Sequence, residues 1–142
     1  MSENAAPKTE IKTRSSLYTR RPDGIIVQVT LPSISQTLAD ARENAAAFAE
    51  LAAGEKRPLL VDTRALYAQG PGVREFYSSP EGLRWTSAIA VLVGSGAGRV
   101  IGNLFISVSA PKVPTRIFTA QDLGLEWLLK IHRAMAAAGS DR

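Results

Sequence analysis

The sequence predicts a single-domain layered α/β sandwich: a mixed, mostly parallel sheet, an N-terminal antiparallel hairpin and about four helices. Three observations carry this. Leu59, Leu60 and Val61 form a short apolar run between Pro58 and Asp62, the profile of an inner strand buried on both faces. A stretch of helical periodicity from Leu38 to Ala52 precedes that run. Further strand and helix patterns then alternate to the end, the order that means helices covering a largely parallel sheet. A chain of 142 residues is one domain's length and buries enough surface to fold without staples.

In chain order, residues 1–10 are polar and aperiodic and read as a flexible leader. Residues 11–137 make the domain, and 138–142 a frayed tail. Ile11 to Arg20 alternates loosely and is expected to be one strand. Arg21-Pro-Asp-Gly24 is a strong turn: proline presets one torsion and glycine permits a positive one. Ile25, Ile26, Val27 and Val29 supply the second, β-branched strand of the hairpin.

Ser33-Ile-Ser-Gln36 fits a capping box. Leu38, Ala41, Ala45, Phe48 and Ala52 then recur at helical spacing, with Asp40, Glu43, Asn44 and Glu50 on the other face and Gly54 as the stop. This helix delivers the chain to the central strand at 58–62. A crossover of this kind implies parallel, right-handed connection.

Beyond Gly70-Pro-Gly72, Val73, Phe76 and Tyr77 predict a short second helix. Ser79-Pro-Glu81 predicts another helical piece through Arg84. Ala88 to Val93 is a second inner strand, followed by Gly94-Ser-Gly-Ala-Gly98 and a helix from Arg99 to about Ser107. Thr115 to Phe118 is the last strand. Thr119-Ala-Gln-Asp122 opens the final helix, with Leu123, Trp127, Leu128, Ile131 and Met135 as its apolar face.

Composition narrows the function classes. There are no cysteines, which removes disulfides, thiolate metal sites and thiol catalysis, and fits a cytoplasmic location. No apolar run reaches the roughly 18 residues of a membrane span, and the first residues lack the apolar core of a secretory signal. The net charge is +4, but it is concentrated: residues 1–21 hold five basic and two acidic groups, and the rest is almost balanced. A solvated basic arm is the commoner meaning of that pattern, so nucleic acid is disfavoured as a partner.

Candidate sites are few. Asp62 and Arg64 stand at the carboxyl end of the central strand, with Arg99 expected at the end of a neighbour and Arg116 in the last strand. Ligands bind at that edge in open α/β sheets, so these four together are the candidate ligand set, for a small anion or an apolar ligand, whereas Asp62 taken singly reads as capping a turn or pairing with an arginine. The Gly94–Gly98 run lies where anions bind helix N-termini, but it matches neither the dinucleotide nor the P-loop spacing. His132 is the only histidine, too few for a zinc site. Ser78 and Ser79 read as helix caps rather than nucleophiles. No cofactor, metal or reaction is expected. Trp85, Tyr77 and Phe76 form an aromatic group whose default is core packing and whose alternative is an interface patch. With Tyr67 and Val73 they are the candidate partner surface.

The hairpin, the helix and Leu59-Leu-Val-Asp62 resemble the STAS domain, the fold of bacterial anti-sigma-factor antagonists; the CRAL-TRIO lipid-transfer domains share a similar layout. Pro58-Leu-Leu-Val-Asp-Thr-Arg64, Val93-Gly-Ser95, Arg99-Val-Ile-Gly-Asn103 and Pro114-Thr-Arg-Ile-Phe118 resemble small, uncharacterised bacterial STAS-like proteins. The likeness spans about residues 11–133. It implies a regulator that binds a protein partner, controlled by phosphorylation of a serine opening the second helix. Gly70 and Pro71 occupy that position here, and neither can be phosphorylated. The expectation is therefore a non-enzymatic module that contacts a partner or a copy of itself, without the phospho-switch.

Overall fold

The computed structural model describes residues 8–94 and 113–140. Their elements are β1 (Glu10–Lys12), β2 (Ser16–Arg20), β3 (Ile26–Thr30), β4 (Ser35–Gln36), α1 (Leu38–Ala52), β5 (Arg57–Asp62), β6 (Ala68–Gln69), α2 (Val73–Tyr77), β7 (Thr86–Leu92), β8 (Thr115–Phe118) and α3 (Gln121–Ser140). Six strands form one sheet in the order β1-β2-β3-β5-β7-β8, and β4 and β6 form a separate pair. The β1–β2 and β2–β3 pairs are antiparallel; β3–β5, β5–β7 and β7–β8 are parallel.

The central strand lies where its apolar run predicts, with β3 and β7 on its two sides. Its successive side chains feed opposite layers, which is why it reads as a run rather than an alternation. Leu59 packs with Tyr18, Ile26, Phe48 and Leu51 beneath α1. Leu60 packs with Ile25, Ala88, Ala90, Leu92 and Leu128 beneath α3. The hairpin turn is also as expected: Gly24 takes φ 91° and donates to the Arg21 carbonyl at 2.9 Å.

Several expectations are corrected. Residues 11–20 are not one strand. The Ser16 amide donates to Thr13 Oγ1 (3.0 Å) and the Thr13 amide to the Ser16 carbonyl (2.8 Å). This turn folds β1 back on β2 with Ile11 opposite Tyr18, and β1 begins inside the expected leader. The cap of α1 is Thr37, not Ser33. Thr37 Oγ1 accepts from the Asp40 amide, and the Asp40 carboxylate accepts from the Thr37 amide. Ser33 is in a left-handed conformation and Gln36 belongs to β4. Asp40 and Asn44, assigned to the polar outer face, are buried.

Residues 79–84 form turns rather than a helix, because β7 starts at Thr86 and leaves no room to propagate. On α3, Leu128 is the buried anchor while Leu123 and Met135 are exposed. The helix runs on to Ser140, past the expected domain end at 137. Three helices are present among the described residues. The helix expected from Arg99 to about Ser107 lies outside them. No helix among the described residues is long and apolar enough to cross a membrane.

Candidate functional site

The parallel strands end together. Val29, Asp62, Leu92 and Phe118 stand level across β3, β5, β7 and β8. At this carboxyl edge β5 turns sharply: the Thr63 amide and Oγ1 both donate to the Leu92 carbonyl at 2.9 Å. The Leu66 amide then donates to the Thr63 carbonyl at 3.0 Å.

Asp62 is 8% exposed and is held by its neighbour but one. Arg64 donates from Nε to Oδ1 (2.9 Å), from Nη2 to Oδ2 (2.8 Å), and from its backbone amide to Oδ1 (3.0 Å). Burial alone would raise the Asp62 carboxyl. The hydrogen bonds and charge of Arg64 outweigh it and hold the group below its ordinary value. The Arg64 side chain remains about half exposed.

The other two members of the candidate ligand set do not join this pair. Arg116 stands level with Ala90, two positions before Phe118, and its guanidinium lies 5.7 Å from the Phe118 ring centroid. β7 separates it from β5. Arg99 and the glycine run beyond Gly94 lie outside the described residues.

The candidate partner surface divides. Val73 and Phe76 are buried against Ala41, with Leu38, Ala45 and Tyr77 around them. They are core, because the short apolar face of α2 is spent on α1. Tyr77 turns its hydroxyl inward to Asn44 Nδ2 at 2.9 Å. Trp85 packs against the layer beneath α1, with the Arg84 guanidinium 5.0 Å above its ring. Tyr67 is the outward-facing member, 74% exposed. Its loop is nevertheless tied down. Ser35 and Gln36 pair in parallel with Ala68 and Gln69, and the Gly70 amide donates to the Gln36 carbonyl at 2.8 Å.

Ser79 Oγ donates to the Phe76 carbonyl (2.6 Å) and accepts from the Gly82 amide (3.1 Å). It caps a turn here, where a helix cap was expected. His132 is half-buried on α3.

Residue patterns missed a buried polar network on the α1 side. Asn44 is fully buried. Its Oδ1 accepts from Thr13 Oγ1 at 2.6 Å, and its Nδ2 reaches Ser15 Oγ (3.0 Å), Ser16 Oγ (3.4 Å) and the Tyr77 hydroxyl. Gln28 Nε2 donates to Ser16 Oγ at 3.0 Å. One turn earlier on the same helix face, Asp40 binds Arg14. The i,i+4 spacing of Asp40 and Asn44 was the available signal.

A family model described as a domain of unknown function, DUF7793, matches residues 18–132. Among solved structures, an uncharacterised DUF3478-family protein with a SpoIIAA-like fold from Shewanella loihica PV-4 has a TM-score of 0.52 and 12% identity, covering 84% of this chain and 90% of that one. A protein of unknown function from Arthrobacter sp. FB24 is 31% identical, with a TM-score of 0.30, covering 84% of this chain and 96% of that one. No curated protein matches. With its hairpin, parallel crossovers and final covering helix, the chain has a SpoIIAA-like, hence STAS-like, fold, and it belongs to the DUF7793 family of domains of unknown function.

Proposed function

We propose that this chain is a non-enzymatic STAS-like binding and regulatory module that acts through protein–protein contact at the carboxyl edge of its sheet. The observation that carries this is the exposed Tyr67 on a loop pinned by the β4–β6 pair. Tyrosine and arginine are the residue types that most often anchor interfaces, and Arg64 lies on the same loop. A loop already held in place loses less entropy when it is covered. Val29 at the end of β3 and Leu123 in the first turn of α3 add exposed apolar surface at this edge. The second helix opens with Gly72 at φ 80° after Gly70 and Pro71, so the reading includes no phosphoserine switch.

A small-anion site at Arg64 is the less favoured reading, since its guanidinium is already committed to Asp62 by two hydrogen bonds.

Photo-crosslinking in the native host tests the proposal. A photoreactive phenylalanine analogue at position 67 should give discrete adducts with one partner or with a second copy. The same probe at Lys130, exposed on α3, should give none. Absence of adducts at 67, or equal labelling at both positions, would overturn it.

A further inference from the structure

We infer that residues 8–15 are a polar clasp that sets how the Tyr67 loop is presented, with Arg14 as its positioning residue. The inference deepens the protein-contact reading and rests on it only for what the loop binds.

The arm is fastened to α1 largely by polar groups. Lys8 meets Glu50 at 3.1 Å, Thr13 meets Asn44, and the Arg14 amide donates to Glu43 Oε1 at 3.1 Å. Ile11 is its one apolar side chain packed on a core cluster. The arm also precedes the family match, which begins at residue 18.

Arg14 does more than tie the arm down. Its Nη2 donates to Asp40 Oδ2 at 2.6 Å and to the Ser35 carbonyl at 3.0 Å. Asp40 Oδ2 in turn accepts from the Thr37 amide at 2.8 Å. One guanidinium thus holds both the entrance to α1 and the backbone of β4. Ser35 is the partner of Ala68, the neighbour of Tyr67. The β4–β6 ladder has only two residue pairs, and a two-stranded pair that short does not stand unaided. Its order depends on what fixes β4 from the other side, and Arg14 does so.

Amide exchange at Gly70, whose N–H closes the ladder onto Gln36, reads this directly. Arg14→Lys keeps a charge for Asp40 but has one nitrogen on a flexible stem, and so loses the planar two-nitrogen grip on the carboxylate that aims Nη2 at the Ser35 carbonyl. It should speed Gly70 exchange about tenfold while leaving the protected amides of β5 and β7 unchanged, the mark of local rather than global opening. Arg14→Met should speed it further. Unchanged Gly70 exchange in Arg14→Lys, or acceleration by the same factor throughout the sheet, would overturn the clasp. The two readings fail separately. Missing adducts from position 67 with a responsive Gly70 remove the contact proposal alone; adducts with a silent Gly70 remove the clasp alone.

Discussion

Arg14 and Asp40, 26 positions apart, form a two-pronged ion pair: Nε to Oδ1 at 2.7 Å and Nη2 to Oδ2 at 2.6 Å. The Arg14 side chain is more than half exposed, whereas the Asp40 side chain is buried. Hydrogen bonding from Arg14, opposed by burial and helped by Thr37, lowers the Asp40 carboxyl from its ordinary 3.8 to about 2. The folded state therefore holds this proton less tightly than the unfolded chain. The resulting stability is complete above the unfolded value, near pH 4, and drains away as pH falls through the folded value near 2. Asp40→Asn should cost about 1 kcal/mol at pH 7, less than full linkage because one partner is solvated. The gap from the parent should close between about pH 4 and 2 in acid titrations followed by circular dichroism.

Asn44 joins the arm, the hairpin and α2 through one side chain. Asn44→Leu strands the buried Ser15 hydroxyl and takes one partner each from Thr13, Ser16 and Tyr77. The expected loss is roughly 2–4 kcal/mol, read as a lower urea midpoint with the slope unchanged.

Phe76 and Tyr67 lie nine positions apart in the sequence and have opposite roles. Phe76→Ala removes a buried ring and should cost about 3–5 kcal/mol. Tyr67→Ala removes an exposed one and should change stability by no more than about 0.5 kcal/mol. Thermal melts of the two variants check the division of this segment into core and contact residues.

A Cβ at Gly82 would run into the Phe76 carbonyl and crowd the Tyr77 backbone. Gly82→Ala therefore forces the turn between α2 and β7 open. It should cost about 1–3 kcal/mol, the usual range for overpacking, and calorimetry should find it less stable than the same change at Gly94, which has open space around it.

The parts of this fold legible in the sequence are those with local causes. Leu59 to Val61 announce an inner strand by apolarity alone, and Arg21-Pro-Asp-Gly24 announces its turn by the torsions proline and glycine prefer. What stayed hidden is decided at a distance. Two capping boxes compete, Ser33 with Gln36 and Thr37 with Asp40. The second prevails because Gln36 is claimed by Gln69, far along the chain. The break at Thr13 contains neither glycine nor proline; it is made by hydroxyl groups that find buried partners on α1. Val73 and Phe76 look the same in sequence whether α2 faces a partner or faces α1. Of the site, Asp62 and Arg64 were legible as a strand end, and pairing of Asp62 with an arginine was the ready alternative to ligand binding; that the arginine is Arg64, two positions on, was not legible.

Pro58 stands in an inner strand although it has no N–H to offer. The register of β5 against β7 shifts beside it: Arg57 opposes Thr86, Pro58 opposes Ala88, and Ser87 is skipped. From there the pairing runs without a break to Asp62 opposite Leu92. A slip of one residue would throw every later side chain to the wrong layer. The irregularity works as a key cut into the start of the ribbon. It indexes the whole strand, so the acid at the far tip is aimed from the end where the chain comes in.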